Sequence, residues 1–147
     1  MRFLLLSAAL FAAISLRADT EDDLRRQINT IATSLTAGDA TSALTPFSKD
    51  WRDYETLHDY FTGLTGAFSI SNEVDMLEEE DTDTEASAKL RWAITLSDPQ
   101  TNFSEHRAAE LSVRFKLTEG KWKIIEFKPI DIFRPTTIAP RHDTGFG

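Results

Sequence analysis

The chain has 147 residues, a formal net charge of −8 and no cysteine. Disulfides, thiolate metal centres and cysteine nucleophiles are thereby excluded, and a hydrophobic core has to hold the fold unaided. The acidic balance argues against nucleic acids and anionic membrane surfaces as partners.

Arg2 precedes an uncharged apolar run, Phe3 to Ser15 (FLLLSAALFAAIS), and Leu16-Arg17-Ala18 leads into the acidic start DTEDD. This order predicts a signal peptide over residues 1–18, cut after Ala18, and an exported protein, periplasmic or extracellular. The run is shorter than the ~20 residues that span a bilayer, so no membrane attachment is expected after cleavage. Removing residues 1–18, with Arg2 and Arg17, leaves 129 residues at −10. That is the size of a single domain, expected over 19–133.

Thr20 reads as an N-cap, and acids at 21 to 23 suit the positive end of a helix dipole. Leu24, Ile28, Ile31, Ala32 and Leu35 recur at helical spacing, which predicts a helix from Asp22 to Ala37 stopped by Gly38. DATSAL (Asp39 to Leu44) makes a short second helix, ended by Pro46. Ser48 or Asp50 caps a third helix running to Leu64, with Trp51, Tyr54, His58 and Phe61 on one face and Leu57 and Leu64 beside them.

From Ser69 the period becomes two. Ile70, Val74 and Met76 mark a first strand of open register. Ala86, Ala88, Leu90, Trp92, Ile94 and Leu96 alternate with polar or small residues in a second. SDPQTN (Ser97 to Asn102) is a turn, and a third strand turns Ala109, Leu111, Val113, Phe115 and Leu117 inward. Glu119-Gly120 makes a tight turn into KWKIIEFKPIDIF (Lys121 to Phe133). There Trp122 and Ile124 are two apart but Phe127 follows three later, which requires a bulge near Ile125-Glu126. Residues 134–147, rich in Pro, Thr and Gly, read as a disordered tail.

Helices followed by a meander with one apolar and one wet face predict an α+β layer arrangement. The motif GDA (Gly38 to Ala40), an aromatic third helix, a strand carrying Trp92 and the ending GKWKIIEFKPIDIF together resemble the nuclear transport factor two-like, or cystatin-like, superfamily. The resemblance implies a cone, with N-terminal helices packed in the concave face of a strongly bent, mainly antiparallel sheet. That superfamily contains ketosteroid isomerases, polyketide cyclases, dehydratases, epoxide hydrolases and many members without a known reaction, so fold alone does not assign an activity. It implies a site at the mouth of the cone and, in many members, a homodimer through the sheet.

His58 and Tyr54, one helical turn apart, are the candidate acid–base pair, since an imidazole titrates near neutral pH. Trp51, Phe61 and Trp92 complete the expected lining of a pocket for a small apolar ligand. The alternative is that His58 and Tyr54 are packing residues with polar rims. Apart from Glu105, with Arg107, near the open end of the third strand, no Asp or Glu falls on the inward register of the second or third strand, a departure from the isomerase pattern. His106 faces outward and His142 lies in the tail, so no zinc site is expected. No phosphate loop or nucleophile elbow is present, and no cofactor is expected.

The acidic run EEEDTDTE (Glu78 to Glu85) lacks the Gly and Glu that a calcium loop starting at Asp81 needs, since Ala86 and Trp92 stand there. It reads as a solvated hairpin tip. Lys89, Arg91, Arg114, Lys116 and Lys123 form an outward basic stripe on a protein whose helical half is acidic: residues 19–84 carry 16 acids against 4 bases. Asn102-Phe103-Ser104 matches a glycosylation sequon. The expected function is a non-catalytic binding module for a small apolar ligand or a protein partner. The alternative is a cofactor-free lyase or isomerase using His58 and Tyr54.

Overall fold

The computed structural model describes residues 2–136, with side chains from Asp19 onward. No glycine or proline interrupts the chain from Arg2 to Thr36, and helix α1 (Arg2–Thr36) runs through unbroken. The expected start at Asp22 is therefore corrected: Thr20 is inside the helix, because the Ala- and Leu-rich run before it is itself a strong helix former. The predicted stop holds. Gly38 adopts φ 77°, the Asp39 N–H reaches the Ser34 carbonyl at 2.8 Å and the Gly38 N–H that of Leu35 at 3.0 Å, which satisfies the last carbonyls of the helix.

Helix α2 (Ala40–Ala43) is short, and Asp39 caps it by accepting hydrogen bonds from the Ser42 N–H and hydroxyl. Those bonds hold the Asp39 carboxyl below its ordinary value. Pro46 and Ser48 then bind both backbone groups of Ile124, at 2.8 Å each. This tie delays the next helix, α3 (Tyr54–Ala67), which starts later than Ser48 or Asp50 and leaves Trp51 in the preceding loop.

Four strands follow: β1 (Ser69–Asp81), β2 (Glu85–Asp98), β3 (Phe103–Thr118) and β4 (Lys121–Lys128). They form one antiparallel meander in the order β1-β2-β3-β4. The inward residues of β2 and the inner half of β3 are those the alternation predicts, buried from Ala86 to Leu96 and from Leu111 to Phe115. Glu119 and Gly120, at φ 51° and 78°, form the two-residue turn between β3 and β4, with the left-handed pair that such hairpins need. The expected bulge is present. Arg114 pairs with Glu126 and Phe115 with Ile124, so Ile125 is the extra residue.

A second bulge, at Leu77, lies in β1. It returns Glu79 and Asp81 to the inner side, opposite Ala88 and Ala86, and puts Glu78 and Glu80 outside. The acidic run does span the β1–β2 hairpin tip, with Thr82, Asp83 and Thr84 in the turn, but Glu78 to Asp81 are the last residues of the edge strand rather than part of the turn. An edge of 13 residues is a template for unwanted strand pairing, and charges plus a bulge are the means by which sheets blunt such edges.

Helix α1 lays Leu24, Ile28, Ile31 and Leu35 against the inner side of the sheet, all buried. Asn72 on β1 fixes the angle of approach, donating to the Ala32 carbonyl and the Thr36 hydroxyl at 3.1 Å each. A 3₁₀ turn (Ile130–Phe133) after β4 returns the chain to the core.

Candidate functional site

The space between α3 and the concave sheet is filled by aromatic rings. Phe133, fully buried, stands at the centre, with ring centroids 5.3 Å from Phe61, 5.4 Å from Trp92 and 5.8 Å from Phe127. Phe47 closes the outer side, 5.1 Å from Phe127 and stacked on Trp51 at 5.6 Å. Perpendicular pairs dominate, the arrangement that ring quadrupoles favour. Among the described residues no polar or charged side chain is buried.

Of the five expected lining residues, Phe61 and Trp92 are in the cone and fully buried. The Trp92 indole N–H donates to Asn72 Oδ1 at 2.9 Å, so its polar end serves the α1 joint. Trp51 lies at the outer rim, buried against Phe47. Tyr54 is half-buried at the start of α3. His58 is corrected: its side chain is 48 % exposed and its Nδ1 faces Asp59 at 3.5 Å. The buried stripe of α3 is Leu57, Phe61 and Leu64, and at 100° per residue His58 is turned roughly 90° away from its centre. The structure does not bring His58 and Tyr54 together over a pocket.

Residues 134–136, expected in a disordered tail, are held at the mouth of the cone. Arg107, on the inner register of β3, donates from one terminal nitrogen to the carbonyls of Ile132 at 2.8 Å and Arg134 at 2.6 Å, and from the other to the Thr136 hydroxyl. Glu105 grips the same guanidinium at 2.9 and 3.3 Å and accepts from Thr136. Arg107, with help from Thr136, holds the Glu105 carboxyl below its ordinary value. Pro135 lies over Gly63, where a Cβ would come within 2.7 Å of its ring. Helix α3 therefore runs through a glycine that this approach requires. His142 lies outside the described residues. The sequence signal for this latch was an arginine at an inward position, whose five N–H donors are more than the neighbouring Glu105 can satisfy.

A cleft of about 520 Å³ opens beside the cone, between the loop at residues 48–53 and the bulged part of β4. Trp51 lines it with Arg52, Asp53, Arg114, Glu126 and Lys128. Glu126 is shared by Lys128 at 3.1 Å and Arg114 at 3.5 Å, and those cations, Lys128 foremost, hold its carboxyl below the ordinary range. Acids and bases balance around this cleft and single out no ligand charge. Among the described residues no cluster of three metal-ligating side chains occurs, and no helix is long and apolar enough to cross a membrane.

No protein-family model and no curated protein matches the sequence. Solved structures do match. A nuclear transport factor 2-like superfamily protein from Salmonella enterica superposes with a TM-score of 0.63 at 12 % identity, over 89 % of this chain and 99 % of that one. The chain has the nuclear transport factor 2-like fold. A cystatin-like member of this fold from Novosphingobium aromaticivorans gives a TM-score of 0.65 at 13 % identity, over 80 % of this chain and 84 % of that one. A hexachlorocyclohexane dehydrochlorinase gives 0.65 at 10 % identity, over 76 % and 84 %. At such identities the likeness concerns the nuclear transport factor 2-like architecture, which is shared by enzymes and by proteins of unknown function alike.

Proposed function

We propose that the protein is an exported, non-catalytic binding module that meets its partner through the convex face of the sheet, and that a second copy is the partner this face fits. The observation that carries the reading is the sorting of charge across the outward register. On β1 the outward charges are Glu73, Asp75, Glu78 and Glu80, all acidic. Across β2 to β4 bases prevail, with Lys89, Arg91, Arg114, Lys116, Lys123 and Lys128 on the same face. A two-fold axis lying parallel to the strands would set β1 of each copy over β4 of the other, acid on base at both ends. An axis across the strands would oppose β1 to β1 and be repelled.

The catalytic alternative draws no support from the site. A lyase or isomerase, or a dehydrochlorinase such as the structural neighbour, needs a titratable group against its substrate. His58 faces solvent, and the cone holds aromatic rings.

Sedimentation velocity over a wide concentration range tests the reading. A dimer that weakens from low salt to about 0.5 M salt is expected, since exposed ion pairs are screened. Reversing Glu73, Asp75, Glu78 and Glu80 to Lys should give a monomer. Mixing that variant with one carrying Lys116→Glu, Lys123→Glu and Lys128→Glu should restore a heterodimer; a monomeric wild type would end the proposal. Export is supported by the apolar run at Phe3 to Ser15, and the intact mass of protein recovered outside the cytoplasm should begin at Asp19.

A further inference from the structure

Three features of the C-terminal segment coincide. Its ring, Phe133, occupies the centre of the cone between Phe61, Trp92 and Phe127. The carbonyl next to that ring, on Ile132, accepts from Arg107. The direct side-chain hydrogen bonds from 132, 134 and 136 to the sheet all end on Arg107 or Glu105. Other ties of the segment are at its surface, Arg134 to Asp131 at 3.1 Å and to Tyr60 at 3.4 Å. Arg107 is the one cation on the inward register of the sheet among the described residues, and its side chain is 15 % exposed.

This is the pattern of a receptor with a ligand in it: an aromatic box for a ring, and a fixed donor for an oxygen a set distance away. We infer that residues 130–136 are an internal ligand, and that on their displacement the same box and Arg107 bind a small N-acyl arylethylamine. The ligand class is read off the occupant. From the Phe133 ring the path runs through two carbons and one nitrogen to the Ile132 carbonyl, which is the skeleton of an N-(2-arylethyl) amide. A neutral carbonyl suits the site better than a carboxylate, because Glu105 already neutralises Arg107 at 2.9 Å and would repel a second anion. The box rejects polar rings, having no buried polar side chain to meet them. The inference stands apart from the sheet-face contact, whose residues lie on the opposite side of the sheet.

The probe is N-(2-phenylethyl)acetamide, titrated into the full-length isotope-labelled protein while the Trp92 indole N–H and the amides of residues 131–134 and 136 are followed by NMR. In the wild type both sets of signals should shift together and saturate, as the segment leaves and the probe enters. Phe133→Ala should bind roughly 10- to 100-fold more tightly, because the competing ring is gone and the open state no longer has to be populated. Adding Arg107→Gln to that variant should weaken binding about tenfold or more, and 3-phenylpropanoate should bind less well than the amide. If Phe133→Ala does not fold, Phe133→Leu replaces it. The inference is overturned if wild-type signals stay fixed at probe concentrations roughly a hundredfold above those that saturate the variant. It is equally overturned if toluene binds the variant as well as the amide does, since the cone would then be a fixed core with a hole cut in it.

Discussion

Replacing Trp92 with alanine is expected to cost about 3–5 kcal/mol of folding stability, the range for deleting a buried aromatic side chain. The indole is fully buried and stands edge-on to Phe127 at 6.0 Å and to Phe133 at 5.4 Å. Its loss opens a cavity at the point where sheet, α3 and the C-terminal segment meet. It also strips the hydrogen bond from Asn72 Oδ1, the residue that ties α1 to β1. Total stabilities are about 5–15 kcal/mol, so a large share is at stake. Urea unfolding followed by circular dichroism measures it. Trp92→Phe keeps most of the ring and loses the N–H, so it should cost less than half as much; equal costs would mean that the hydrogen bond, not the cavity, dominates.

A second large effect comes from Glu79. The bulge at Leu77 turns this carboxylate inward beside Asp81, under Glu21 and Arg25 of α1. Its Oε2 is buried without a hydrogen-bond partner. Two carboxylates in contact become hydrogen-bonded only when one of them carries a proton, and burial first, then Asp81, pushes Glu79 up to about 7 from the ordinary 4.5. A carboxyl raised in the folded state contributes its full stability below the unfolded value, and that contribution is lost as pH rises through the folded value. The window is therefore about pH 4.5 to 7, with the native state weakest above it. Discounted for partial solvent screening, the loss is about 1–2 kcal/mol. Glu79→Gln should raise the melting temperature by a few degrees at pH 8 and leave it nearly unchanged at pH 4.5. A gain of the same size at both pH values would show that ionisation is not the cause.

The parts of the fold that were legible in the sequence are those whose two faces differ. The second strand alternates from Ala86 to Leu96 because one side meets the core and the other water, and the three-residue step from Ile124 to Phe127 could only mean an inserted residue. Helix α3 was harder. Tyr54, His58 and Phe61 are spaced as a helical stripe, and so are Leu57, Phe61 and Leu64; the second wins because it is wholly apolar. Residues 134–136 were illegible for another reason. Their order depends on Arg107, more than 25 residues away in sequence, and no local period records such a partner. Gly63 and the inward Arg107 were the traces it left. The relation of β1 to its neighbours was hidden too, because the bulge at Leu77 reverses the parity of every residue after it.

The aromatic centre is completed by a residue near the far end of the sequence, and this has a consequence for synthesis. The meander pairs each strand with the next, so hairpins can form in turn as the chain emerges, with little loop entropy to overcome. Yet Phe61, Trp92 and Phe127 have no central neighbour until residue 133 is made. A nascent chain that ends between residues 127 and 132 carries all three rings without Phe133 and exposes them to solvent or to chaperones. Closure of the cone thus waits on Phe133: a chain cut before it keeps an open aromatic interior, and one that includes it fills that interior.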